Sequence, residues 1–124
     1  MVILSNIQDL TDNDVLELTK YTNVSNLNKI GPNEYTTCSD TAYFIDSFPE
    51  ENPYIYLPKD PRDLCLVQFG DIGGNLNVNP VIICYQDRIG KEKYFTLDNV
   101  YSIYVFQYND GVWSSRIIER QIRK

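Results

Sequence analysis

The sequence predicts an α+β domain, with one N-terminal helix packed on a curved, mainly antiparallel sheet of about six strands. Three observations carry this. A helix-start signature near residue 11 precedes apolar residues at three-residue spacing. From residue 35 onward, runs of aromatic and β-branched residues alternate with clusters of Gly, Pro, Asn and Asp. The connections between those runs are short, and short connections favour antiparallel neighbours.

Val2, Ile3 and Leu4 read as a short first strand. Thr11 caps a helix over residues 12–22, with Asp14 answering it as a capping box. Asp12, Asp14 and Glu17 favour the positive end of the helix dipole, and Val15, Leu18 and Tyr21 make one face apolar. Residues 22–33 read as a loop, because Asn23, Asn26, Asn28, Gly31, Pro32 and Asn33 are turn formers. Strands follow at 35–38 and 41–48. Pro49, Pro53, Pro58 and Pro61 bracket residues 54–57, which predicts an edge strand, since proline cannot donate to a ladder.

Residues 64–69 form an apolar strand, and Gly70, Asp71, Gly73, Gly74 and Asn75 turn the chain into a strand at 78–86. A hairpin loop at 87–93 leads back through 93–97 and on to 100–108. Asn109, Asp110 and Gly111 then make a tight hairpin with 112–118, because Asn and Asp tolerate positive φ and Gly prefers it. The whole chain reads as one domain of 124 residues.

The chain contains no histidine, which excludes a Ser–His–Asp triad, a Cys–His dyad and histidine ligation of zinc or haem. Net charge is −6, with −9 on residues 1–87 and +3 on residues 88–124. Such a molecule repels free nucleic acid and anionic membranes and attracts a basic protein partner. Cys38, Cys65 and Cys84 are odd in number and form no C-x-x-C pair. The apolar neighbours of Cys65 and Cys84 predict buried thiols and a reducing compartment, with a Cys65–Cys84 bridge as the alternative. The first residues lack the basic start of a signal peptide, and no apolar run reaches membrane-spanning length. Cytoplasmic location is the expectation.

The glycine turn lacks the Lys-Ser/Thr of a P-loop and the spacing of a dinucleotide fingerprint, so it reads as a turn. The stretch Phe69-Gly70-Asp71-Ile72-Gly73-Gly74-Asn75, with Tyr94-Phe95 beyond, resembles the glycine turn of SMI1/KNR4-like bacterial immunity domains. The resemblance covers about a quarter of the chain and implies no site residue. The acids at 9–17 fail the spacing of a calcium loop. Asp46, between apolar neighbours, is the one acid placed for a raised pKa and carboxylate catalysis. Cys38 has the most polar flanks of the three thiols but no base.

The ten tyrosines are abundant for this length, and Tyr combines apolar area with a hydroxyl at interfaces. They meet acids on the proline-stiffened stretch 46–63. Glu50, Glu51, Tyr54, Tyr56, Asp60 and Asp63 are therefore the candidate partner-binding residues. The reading is a non-enzymatic, acidic protein-binding module, an inhibitor or immunity protein of phage or bacterial type, monomeric or homodimeric and without cofactor or metal. It would occlude a basic partner. The alternatives are a Tyr-lined small-ligand domain whose Arg116, Arg120 and Arg123 meet an anion, a viral assembly subunit, and an enzyme built around Asp46.

Overall fold

The computed structural model describes residues 22–119. Ten strands form two mixed five-stranded sheets. They are β1 (Thr22–Asn23), β2 (Asn28–Gly31), β3 (Glu34–Thr36), β4 (Thr41–Ile45) and β5 (Tyr54–Tyr56). Then come β6 (Leu66–Asp71), β7 (Val81–Gln86), β8 (Glu92–Leu97), β9 (Ser102–Asn109) and β10 (Val112–Glu119). The first sheet has the order β1-β4-β6-β9-β10 and the second β2-β3-β5-β7-β8.

This corrects the α+β expectation of one mainly antiparallel sheet. Among the described residues there is no α-helix, only a 3-10 turn at Val24–Asn26 capped by Asn23. The helix expected over 12–22 and the strand expected at 2–4 lie outside the described residues, apart from Thr22, which opens β1 beside β4. No described helix is long and apolar enough to cross a membrane.

The error in the sheet has a physical cause. Short connections favour antiparallel neighbours within a sheet, but most of them here cross to the opposite sheet. The chain changes sheet between β3 and β4, β4 and β5, β5 and β6, and β6 and β7. Each step therefore lays the next strand parallel to the last one in its own sheet. β1, β4 and β6 run parallel in the first sheet, and β3, β5 and β7 in the second. Only β2–β3, β7–β8 and β9–β10 are hairpins between sequence neighbours.

The β9–β10 hairpin is as the sequence predicts. Asp110 and Gly111 take φ of 56° and 80°, the left-handed pair of a tight turn, with Val112 opposite Asn109. The proline-bracketed strand is different: β5 lies between β3 and β7, not at an edge. Its prolines sit just outside the ladder, where Pro53 offers a carbonyl to the Ile82 N–H. Tyr54 N–H donates to Asn33 O and Leu57 N–H to Cys84 O, so the strand is bonded on both sides.

The two sheets enclose one core. Tyr43, Ile45, Val67, Phe69, Tyr104 and Phe106 from the first meet Tyr35, Ile55, Val81, Ile83 and Leu97 from the second. Aromatic rings bridge the layers. Phe95 of the second sheet meets Phe106 at 5.5 Å and Tyr104 at 6.3 Å, and Phe106 meets Phe69 at 6.0 Å. The buried Tyr104 hydroxyl accepts from the Asn99 N–H and donates to its carbonyl, so the ring is buried without an orphaned polar atom.

The two outer faces differ, and the difference locates the candidate site. On the first sheet, Ile103, Val105 and Gln107 alternate outward from the core residues yet are buried. On the second sheet, the outward residues of β5 and β8 are open: Tyr54 and Tyr56 are half-buried and Tyr94 is 57% exposed.

Candidate protein-binding face

The outer face of the second sheet follows from strand periodicity. Tyr35, Ile55, Ile83 and Phe95 face the core, so their neighbours in register face away from it. Glu34 stands opposite Tyr54, and Tyr54 opposite Ile82. Thr36, Tyr56, Cys84 and Tyr94 make the next row, and Gln86 with Glu92 a third. Tyr54 and Tyr94 meet edge to face at 6.4 Å. The Tyr94 hydroxyl donates to Glu92 Oε1 at 3.1 Å. Among the described residues, the outward strand positions carry two carboxylates and no Lys or Arg.

The electrostatics agree. Burial, then the nearby Glu92 and Glu34 carboxylates, push the Cys84 thiol up to about 12. Burial raises the Tyr56 phenol, with Cys84, Glu34 and Glu92 adding to it. The hydrogen bond to Glu92 raises Tyr94. The carboxylates at this face thus add to the upward shift of all three groups. Cys84 is no nucleophile in this setting, since the thiolate is the reactive form.

Of the six residues expected to bind a partner, Tyr54 and Tyr56 lie on this face. Glu50 is turned to an internal use. Its carboxylate accepts from Lys29 Nζ at 2.7 Å and from the Tyr35 hydroxyl at 2.6 Å. Asp63 accepts the Asp110 N–H at 2.9 Å and ties its loop to the β9–β10 hairpin. Glu51 and Asp60 are exposed in the loops flanking β5. Glu34, Glu92 and Tyr94 share this face but are not among the residues the sequence singles out. Their signal was the alternation Glu92-x-Tyr94-x-Thr96 against the apolar Phe95 and Leu97, and the outward pairing of Glu34 could not be read without β3–β5 register.

Glu50 yields a pH prediction. The hydrogen bonds from Lys29 and Tyr35 lower its pKa below the ordinary glutamate value. Its stabilisation is complete above that ordinary value and is lost as pH falls through the lowered one. Glu50→Gln is expected to be less stable than wild type at neutral pH and to lose stability less steeply on acidification. Urea unfolding across the acid range measures this. Parallel curves for the two proteins would show that Glu50 is not the group responsible.

The other candidate acids resolve differently. Asp46 lies just past β4 and is exposed. The Asn23 amide and the Ser47 N–H lower its pKa, against the raised value that catalysis would need. The buried acid is Asp71. Its carboxylate accepts the Gly74 N–H at 3.2 Å and the Tyr101 N–H at 2.7 Å. In the same turn the Ile72 and Gly73 N–H groups both donate to Ile45 O. These donors are engaged within the turn, which leaves no cradle for a phosphate. Cys38, Cys65 and Cys84 are free thiols, the last two buried. Arg116 pairs with Val105 in register and so points to the outer side of the first sheet, while Arg120 and Arg123 lie outside the described residues. Among the described residues no group of His, Cys, Asp and Glu is assembled to hold a metal ion.

The fold and face define a two-sheet β-protein with an open, acidic, tyrosine-bearing surface. No family model matches the chain, and no curated protein does.

Proposed function

We propose that the protein is a non-enzymatic binding module that takes a basic segment of a partner protein on the outer face of its second sheet. One observation carries this: Tyr54, Tyr56 and Tyr94 stand in adjoining positions between Glu34 and Glu92, with no outward Lys or Arg among them. Such a surface suits guanidinium and ammonium groups. The rings offer their negative faces, and the carboxylates offer charge-assisted hydrogen bonds. The sheet holds these side chains on a rigid backbone, so little conformational freedom is lost on binding. Overall charge of −6 steers a basic partner toward the molecule. Occupying a basic partner surface in this way is a route to inhibition that needs no chemistry.

The test is titration of the labelled protein with an arginine-rich peptide, followed by amide chemical shifts. The shifts are expected to centre on β5 and β8, and binding should weaken several-fold on raising salt from 0.05 to 0.5 M, as expected for screened charge pairs. Glu34→Gln with Glu92→Gln should weaken binding by about tenfold, a loss of about 1.4 kcal/mol. Shifts that cluster elsewhere, or affinity indifferent to these two substitutions, would sink the assignment.

A further inference from the structure

A second feature adjoins the acidic face. At one end of the molecule, the end of β5, the β7–β8 hairpin and the β9–β10 hairpin surround a cavity of about 290 Å³. That is near the lower end for small-molecule sites and suits a ligand with one ring. Tyr85, Tyr108 and Trp113 supply aromatic wall, the last two meeting at 5.4 Å between ring centres. Lys59 and Arg88 stand at the exposed rim. The Arg88 stem lies near the β9–β10 turn, its Cγ 3.9 Å from where a Cβ at Gly111 would stand, so the side chain of one hairpin approaches the other.

The hydrogen-bonding inventory separates the two cations of the lining from its two acids. Neither Lys59 nor Arg88 has an ion-pair partner among the described residues. The Tyr85 and Tyr108 hydroxyls and the Trp113 indole N–H have no described hydrogen-bond partner either. Two acids also line the space, but both are occupied. Asp87 Oδ1 accepts the Ile89 and Lys91 N–H groups of its own turn, and Glu92 accepts from Tyr94. The cavity thus combines aromatic wall and available donors with two cations free of ion pairs, and its formal charges balance against the hydrogen-bonded Asp87 and Glu92. Cys84 on its lining is buried and protonated, which fits binding and not thiol chemistry.

We infer that this cavity binds a small planar anion, one aromatic ring bearing a carboxylate or phosphate, with the ring against Trp113 and Tyr108 and the anion toward Arg88 and Lys59. A ring stacks on aromatic wall, and the guanidinium fork matches either oxyanion. The cavity shares Tyr56, Cys84 and Glu92 with the acidic face, but binding there needs no protein partner.

Trp113 is the single tryptophan of the chain and lines this cavity, so its fluorescence responds to occupancy there. Phenyl phosphate and benzoate are the probes, with benzamide and inorganic phosphate as controls lacking the charge or the ring. A saturable change with phenyl phosphate, benzoate or both is expected, and the better of the two identifies the anion. Benzamide and inorganic phosphate should each bind at least tenfold more weakly. Lys59→Gln with Arg88→Gln should weaken the bound probe by about tenfold and leave the melting temperature of the free protein unchanged, because both side chains are exposed. No saturable change with either probe would overturn the inference, as would benzamide binding equally well or a double variant of unaltered affinity.

Discussion

Phe106→Ala is expected to lower the free energy of unfolding by about 4 kcal/mol, the upper part of the range for a buried aromatic cut to alanine. Phe106 is 2% exposed and meets Phe69 of its own sheet and Phe95 of the opposite one. Deleting it removes the ring that joins the layers at their centre, and the flanking strands cannot close the gap without moving both sheets. Phe106→Leu keeps most of the volume and should cost much less. Urea denaturation of the three proteins measures this. If alanine costs less than about 1 kcal/mol, the two sheets do not share the core described here.

Gly73→Ala is expected to be nearly as damaging, at about 3 kcal/mol, through backbone rather than side-chain packing. A Cβ at this position would stand 1.8 Å from Asp46 O and 2.7 Å from its carbonyl carbon. Neither atom belongs to a flexible side chain, so the turn must lift away from the end of β4. That movement breaks the bonds from the Ile72 and Gly73 N–H groups to Ile45 O and loosens the loop that Asp71 clamps. Gly90→Ala is the control. It has open space around it, so its cost should be the smaller strain of a φ of 88°. Equal losses at the two positions would show that close approach is not what requires glycine at residue 73.

The contrast between these positions shows what the sequence could and could not reveal. The glycine run at 70–75 was legible as a turn, and Asn109-Asp110-Gly111 as a hairpin, because turn chemistry is local. The buried neighbours of Cys65 and Cys84 were legible for the same reason. Strand pairing was not. Tyr54-Ile55-Tyr56 between prolines looked like an edge, and only the register with Glu34–Thr36 on one side and Ile82–Cys84 on the other shows it to be central. The candidate site inherits this limit. Glu50 and Tyr54 are close in sequence, which suggested one surface, but Glu50 turns to Lys29 and Tyr35 while Tyr54 looks outward. Glu34 and Glu92 are far apart in sequence and flank the same tyrosines. Alternation along one strand locates a side chain on a face, and neighbours across the face require the order of the strands.

The strand order also bears on how the chain reaches its native state. Because β3 through β7 alternate between the layers, neither sheet is made of a continuous stretch of polypeptide. The parallel pairs β4–β6 and β5–β7 cannot zip from a turn as a hairpin does. Each must wait for an intervening strand to be placed in the other layer. Chain closure is paid before contacts accumulate, so assembly should be slow and all-or-none, with the three local hairpins as the earliest organised pieces. A single proteolytic nick between β5 and β6 would divide both layers at once, and neither fragment would retain a complete sheet.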